Sequence, residues 1–202
     1  STLLPRVVHA SSEGAPDAPL KAVWVQPLGT AVFGAISLGG WGEGLLYVPV
    51  GATLAISDRT AVEFEAAWLS GRQGCGVPDG ICRPFRGAHL SVGLSRTILG
   101  ESALSGFFVG PKLSLESWTR DTGRGGMKGT TVVEGYSTRQ ILLGADIGYR
   151  RAIGNAYVAV ALGASVGYAF GRPQTLFGGE GSAESPVFLA GNLNLLRVGA
   201  AF

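Results

Sequence analysis

Residues 139–170 decide the fold, and they read RQILLGADIGYRRAIGNAYVAVALGASVGYAF. Apolar side chains recur at every second position on both sides of Gly154-Asn155, beginning with Ile141 and Leu143 in the first half. Glycine, alanine, serine and a few charged residues fill most of the positions between them. Because successive side chains of a strand point to opposite faces, this alternation predicts two β-strands joined by a tight turn. One face of the pair is apolar, and the other is small or polar.

The same alternation recurs along the rest of the chain and yields eight segments in all. They cover residues 22–38, 45–56, 61–69, 87–99, 106–118, 139–153, 156–170 and 187–202. Each has the roughly 9–11 residues that a tilted strand needs to cross a bilayer. The face opposite the apolar one is rich in glycine, alanine and serine, which fits a narrow barrel interior better than a water-exposed sheet. We therefore predict an all-β fold, an eight-stranded antiparallel up-and-down transmembrane β-barrel with its apolar face outward.

The connections between these segments alternate between short and long. The short ones are 57–60, 100–105 and 154–155, and the longer ones are 39–44, 70–86, 119–138 and 171–186. Outer-membrane barrels have short periplasmic turns and long extracellular loops. An eight-stranded chain with this order has both termini in the periplasm. Cys75 and Cys82 then lie in an external loop, where we expect a disulfide between them because exported proteins occupy an oxidising compartment.

Composition narrows the classes of protein that the chain can be. Its 202 residues carry a formal net charge of +2 and only 15% of them are charged, so nothing indicates a nucleic-acid partner. No stretch reaches the roughly 20 apolar residues of a membrane-spanning helix. Gly163, Gly167 and Gly171 have the spacing of a helix-dimer motif, but with 33 glycines in the chain such spacing arises easily by chance.

The chain ends in Leu196-Arg197-Val198-Gly199-Ala200-Ala201-Phe202. With this alternating last segment and its terminal phenylalanine, the sequence resembles the small outer-membrane barrels of Gram-negative bacteria, such as the OmpA transmembrane domain and OmpX. The resemblance covers residues 22–202 as architecture. It implies a location in the bacterial outer membrane, in contact with outer-membrane lipid and lipopolysaccharide. It also implies that the barrel-assembly machinery recognises Val198, Ala200 and Phe202.

Two amides break the pattern of this last segment. Asn192 and Asn194 share the parity of Phe202, which would place both on the lipid-facing side. A β-bulge inserts one extra residue into a strand and so changes which face the preceding side chains occupy. We therefore expect a bulge near Leu195-Leu196 that turns the two amides inward.

Charged side chains of the predicted inner face are the candidate site residues. They are Glu63, Glu65, His89, Lys112, Glu116, Asp146, Arg150 and Arg197. An eight-stranded barrel has an interior just wide enough for side chains, and charges buried there must be paired or solvated. We expect a polar network of salt bridges that fills the lumen. A gated or proton-linked path along the same residues is the functional alternative.

His89-Leu90-Ser91 resembles the His-x-Ser pair of PagL-type lipid A deacylases, which are also eight-stranded barrels. The resemblance implies His89 as the base, with Glu101 as the acid that orients it. The sequence departs from that family at the flanking positions, which are Ala88 and Val92. Parity also points His89 and Ser91 into the lumen, whereas such an enzyme works from the lipid face. We therefore expect no enzyme and assign no catalytic, metal-binding or cofactor-binding residue.

Aromatic residues close to segment ends are typical of the girdles that mark membrane interfaces. We assign this role to Trp24, Trp41, Trp68, Trp118, Tyr149, Tyr168 and Phe202. Residues 1–20 precede the barrel domain, residues 21–202, and form an extended periplasmic segment in this topology.

The sequence favours a structural or interaction protein of the envelope, either a membrane anchor or a subunit of a complex with other envelope proteins. Its loops and termini would make the contacts. Basic residues in residues 119–138 could meet lipopolysaccharide phosphates, although a solvated loop is the simpler interpretation. A narrow channel or carrier for small or hydrophobic molecules is the second alternative, and a lipid A-modifying enzyme is the third.

Overall fold

The structure is a computed structural model that describes residues 19–27, 43–73, 83–121, 135–170 and 186–202. The described residues form eight strands. They are β1 (Lys21–Val25), β2 (Glu43–Ala55), β3 (Thr60–Gln73), β4 (Arg83–Ser102), β5 (Ser105–Asp121), β6 (Gly135–Ile153), β7 (Ala156–Phe170) and β8 (Val187–Ala201). Within these ranges, no helix is long and apolar enough to cross a membrane.

The eight strands form one closed barrel. Each strand pairs antiparallel with the next along the chain, and β1 pairs with β8 from Ala22 opposite Ala201 to Val25 opposite Val198. The predicted all-β fold, an eight-stranded antiparallel barrel in up-and-down order, is therefore confirmed. Closure matters energetically because the stretches that β1 pairs with β2 and with β8 present no open strand edge.

Side chains alternate between the two faces as the sequence pattern predicts. In β7, exposed and buried residues follow each other along the whole strand. Val158 and Leu162 are 41% and 58% exposed and point outward, whereas Tyr157 and Ser165 are buried inside. Large apolar side chains project outward from all eight strands. Between the ends of the barrel, polar side chains thus lie inside and large apolar side chains outside, the reverse of a water-soluble sandwich.

The three short turns all lie at the same end of the barrel, where β1 begins and β8 ends. Ala201 donates its backbone N–H to the Asn155 carbonyl at 2.9 Å, and Lys21 and Phe202 exchange backbone hydrogen bonds at 3.0 and 2.9 Å. We call this the terminal end. The longer connections leave from the opposite end, through residues 28–42, 74–82, 122–134 and 171–185, which lie outside the described residues.

Several strands extend further into the long connections than the sequence predicted. Strand β3 continues to Gln73 and β4 begins at Arg83, although 70–86 was predicted as a connection. Likewise, β5 continues to Asp121 and β6 already begins at Gly135, although 119–138 was predicted as a connection. β2 begins at Glu43, so Gly44 is a strand residue. The predicted boundaries are wrong here because backbone pairing with a neighbouring strand sustains these largely polar ends without an apolar alternation. The remainder of the first predicted segment, beyond residue 27, lies outside the described residues.

The last strand contains the expected bulge. Ala159 pairs with Arg197 but Ala161 pairs with Asn194, so β8 has one extra residue between these positions. The extra residue falls at Leu195-Leu196, and Asn194 is buried inside at 5% exposure. The prediction of an inward-turned amide is therefore confirmed for Asn194. The side chain of Asn192 lies outside the described part of the chain.

One aromatic assignment is wrong. Trp24 is only 3% exposed and points into the barrel, because its outward neighbours on β1 are Val23 and Val25. Trp68, Tyr168 and Phe202 do project outward, each about half exposed. Tyr149 is partly exposed and packs edge-on against Phe107, with ring centroids 4.9 Å apart.

Two aromatic assignments remain untested. Trp41 lies in residues 28–42, and the side chain of Trp118 is outside the described residues although its backbone is part of β5.

The β4–β5 turn folds into the barrel mouth at the terminal end, which the sequence did not predict. Leu104 is fully buried and joins an apolar cluster with Trp24 and Tyr157. Gly100 and Gly106 flank the turn with φ of 150° and 146°, a backbone conformation that other residues rarely adopt. These glycines let the hairpin bend inward, so Leu104 packs with Trp24 and Tyr157 at this end of the barrel.

Candidate functional site

All eight predicted site residues point into the barrel, and they come from five of its strands. Glu63 and Glu65 lie on β3, His89 on β4, Lys112 and Glu116 on β5, Asp146 and Arg150 on β6, and Arg197 on β8. We call this group the interior cluster. Its members meet because strand pairing places their inward positions at neighbouring heights.

The layer nearest the terminal end is built on Glu63. Its two carboxylate oxygens accept hydrogen bonds from Arg150 Nη1 at 2.8 Å and from Arg197 Nη1 at 2.7 Å. Arg150 also donates to the Ser95 hydroxyl at 2.8 Å. Both guanidinium groups are almost completely buried. Short hydrogen bonds between ionised groups are among the strongest polar contacts in a protein, so this layer is firmly held.

The middle layer is built on Glu65. Its Oε2 accepts from Arg197 Nη2 at 3.1 Å and lies 3.5 Å from Lys112 Nζ. Lys112 Nζ is also 3.6 Å from Asp146 Oδ2. The Asn194 amide donates to that same Asp146 oxygen at 3.5 Å, so the bulge in β8 supplies a partner to this layer. Arg197 therefore links the middle layer to the Glu63 layer.

The third layer lies towards the long connections. His89 Nδ1 and Glu116 Oε1 are 2.9 Å apart, and the Gln140 amide donates to the other oxygen of Glu116. His89 Nε2 lies 3.8 Å from Glu65 Oε1. The imidazole thus sits between two carboxylates and connects this layer to the middle one.

Aromatic rings cover the two arginines. The Arg197 guanidinium lies 4.2 Å from the centroid of the Trp24 ring, and that of Arg150 lies 4.4 Å from the Phe108 ring. Trp24 donates its indole N–H to the Thr53 hydroxyl at 3.1 Å. Such cation–π contacts stabilise a cation that has lost its water. Sequence reasoning missed these rings, although the inward parity of Trp24 between Val23 and Val25 was a usable signal.

The cluster pairs most of its charges. Four carboxylates face three permanent cations and one imidazole; Glu63, Glu65 and Asp146 each lie within 4 Å of an arginine or lysine, and Glu116 lies 2.9 Å from the imidazole. Buried charges need such pairing because their desolvation is costly. The cavity among them measures only about 20 Å³, which is roughly the space of one water molecule. These side chains therefore fill the middle of the barrel.

The deacylase-like arrangement does not assemble. Glu101 is exposed near the end of β4, twelve residues from His89 and so about 40 Å away along the strand. The acid beside His89 is Glu116. Among the described side chains, no group of three or more histidine, cysteine, aspartate or glutamate residues could hold a metal ion.

Other predicted features lie on the outside or beyond the described ranges. Val198 and Ala200 lie on the outward face of β8, and Phe202 follows the strand directly, with its ring 5.0 Å from Lys21 Nζ. Cys75 and Cys82 are outside the described residues, so their disulfide stays a prediction. Of the predicted N-terminal segment, residues 1–18 are outside as well.

The fold and the interior cluster define a small closed barrel with a filled, ionised interior. Comparisons of the chain with protein families, with curated proteins and with solved structures found no match. The class is therefore defined by the architecture alone.

Proposed function

We propose that this chain is a bacterial outer-membrane β-barrel of the OmpA and OmpX kind, with both termini in the periplasm. In this proposal it works as a membrane anchor or as a subunit of an envelope complex. Its contacts with partners are made by the ends of the barrel, the loops and the N-terminal segment. The interior does not conduct ions or solutes.

The outer surface supports insertion into a membrane. On β6 the outward side chains between Arg139 and Arg151 are all uncharged, and Leu143 in the middle is 65% exposed. Twelve residues span about 40 Å along a strand, or about 30 Å in height at a tilt of roughly 40°. This height matches the hydrocarbon core of a bilayer, which is about 30 Å thick.

The filled interior is the single observation that carries the non-conducting role. Ion pairs join Glu63 and Glu65 on β3 to Arg150 on β6 and Arg197 on β8, across the barrel, and the fully buried Leu104 lies at the terminal end. A channel would need a continuous wet path, and the space among the charged groups holds about one water. The function is therefore expected at the ends of the barrel.

The remaining partners follow from the proposed location of the barrel in the outer membrane. Outer-membrane lipid and lipopolysaccharide would surround the outward apolar side chains between the two ends of the barrel, which we call the apolar band. The outward Val198, Ala200 and Phe202 would be available to the barrel-assembly machinery before the barrel closes.

Conductance in planar bilayers tests the non-conducting role. Purified wild-type protein should leave the current at baseline. The comparison variant is E65A/K112A. It removes one acid and one base together, so the net charge of the interior cluster stays the same. It should open a small, measurable conductance. Steady single-channel currents from the wild type, equal to those of E65A/K112A, would favour the channel alternative.

The contacts of the barrel need a separate experiment. Purification from native membranes in a gentle detergent should retain other envelope proteins if the barrel is a subunit. Recovery of the lone barrel would leave the anchor role. Loss of acyl chains from lipid A with the wild type, but not with H89A, would instead identify an enzyme.

A further inference from the structure

An open volume of the described structure lies on the outside of the barrel wall. It is an apolar concavity of about 850 Å³ on the outer face of β8, β1, β2, β3, β4 and β5. This size falls within the range of ligand sites, roughly 300–1,000 Å³.

Small outward residues account for the concavity. Ala52 on β2 and Ala66 on β3 are half-buried at positions where neighbouring outward side chains are large, such as Phe64 and Leu90. On the inner side of the same wall, the Trp24 ring lies against Gly51, where any Cβ would overlap it. Because Gly51 has no side chain, the backbone of β2 can lie close to the indole of Trp24. The outer surface of the wall is hollow at this position.

Basic residues stand at the terminal-end rim of this hollow. Lys21 is exposed on β1, two residues before the lining residue Val23. Arg96 is exposed on the outward face of β4, four residues beyond the lining residue Val92. Exposed Arg59, in the β2–β3 turn, lies between them along the rim. Asp58 is the exposed acid of the same turn, so the rim carries more positive than negative charge.

We propose that the concavity binds one anionic phospholipid, with its acyl chains against Ala52 and Ala66 and its phosphate at Lys21 and Arg96. The inference rests on the proposed membrane location, where the terminal end faces the periplasmic leaflet. Cations at headgroup level bind phosphate by charge-assisted hydrogen bonds and attract anionic lipid. An apolar hollow beneath them suits acyl chains, and neither feature alone would select a phospholipid.

Native mass spectrometry of the folded barrel in micelles tests the site, with dioleoyl phosphatidylglycerol or dioleoyl phosphatidylcholine added. The wild type should retain one phosphatidylglycerol. A52F/A66F, which fills the hollow, should weaken this binding at least about tenfold. K21Q/R96Q should lower the preference for phosphatidylglycerol over phosphatidylcholine by roughly fivefold for each cation removed.

The control is A164F, which adds the same ring to an exposed outward position of β7 outside the hollow. It should bind phosphatidylglycerol like the wild type. Equal losses in A164F and A52F/A66F, or none in either, would refute the site. A dimer that dissociates in A52F/A66F would show that a second copy occupies the hollow. Heat-modifiable migration on gels and insertion into vesicles are measured in parallel, to report folding and membrane location. A wild-type barrel that folds and inserts but does not retain the lipid would contradict only the lipid site and not the proposed function.

Discussion

Arg150 shows how one residue can depend on the whole interior. Its guanidinium is fully buried, donates to Glu63 and Ser95, and faces the Phe108 ring. Arg151 follows it on the same strand but points outward and is exposed. The two arginines differ by one position of the alternation, so they form a matched pair for measuring what the interior contributes.

Replacing Arg150 should destabilise the barrel strongly. Removing one partner of a buried ion pair leaves the other charge uncompensated, which typically costs about 3–5 kcal/mol. R150A should therefore lower the free energy of unfolding by that order, measured by urea unfolding in lipid vesicles. R151A should change it by less than about 0.5 kcal/mol, as surface substitutions usually do. Equal effects of R150A and R151A would show that the ion pairs of the interior contribute nothing net.

The inward position of the charged residues was predictable, but their partners were not. Parity alone places Glu63, Asp146 and Arg150 inside, because a strand has a period of two. Parity does not say which residues meet across the barrel, since that depends on the stagger between strands. Parity also places Trp24 inside, between the outward Val23 and Val25, although it lies near the end of its segment. Its contact with Arg197 depends on the β1–β8 pairing, which joins residues far apart in the sequence.

At the level of strands, the bulge in β8 corrects a conflict within the sequence. Asn194 and Arg197 are three residues apart and would face opposite sides in a regular strand. The extra residue at Leu195-Leu196 places both inside, where they contact Asp146 and Glu65. This element was predictable because polar residues on the wrong parity identify a bulge. The inward bend of the β4–β5 turn has no comparable signal, since Ala103 and Leu104 could equally have faced lipid.

Deleting Leu195 should be tolerated. The deletion removes the extra residue and leaves Asn194 and Arg197 two positions apart, both facing inward as in a regular strand. We expect a folded barrel with heat-modifiable migration on gels. Deleting Leu162 from the unbulged β7 is the control, because it shifts half of that strand to the wrong face. Failure of both deletions alike would contradict the role given to the bulge.

For the whole molecule, the apolar band and the ionised interior are two consequences of one alternating pattern. In water the same barrel would expose large apolar side chains on every strand, far beyond the patches that soluble proteins carry. In a bilayer this surface needs no cover, and the closed strand pairing satisfies the backbone groups that it joins. The composition reflects this arrangement, with few charges and many small residues.

A charge placed on the band should cost more in its middle than at its edge. Leu143 and Ile153 both point outward from β6 and are both 65% exposed, but Leu143 lies mid-band and Ile153 next to the Gly154 turn. L143R should lower the free energy of unfolding in lipid vesicles by about 2–4 kcal/mol, and I153R by about 0–1 kcal/mol. The pair is matched in strand and exposure, so the difference reports depth in the bilayer. Equal, small effects of both substitutions would contradict a membrane-spanning band, because an outward arginine in water has no depth to sense.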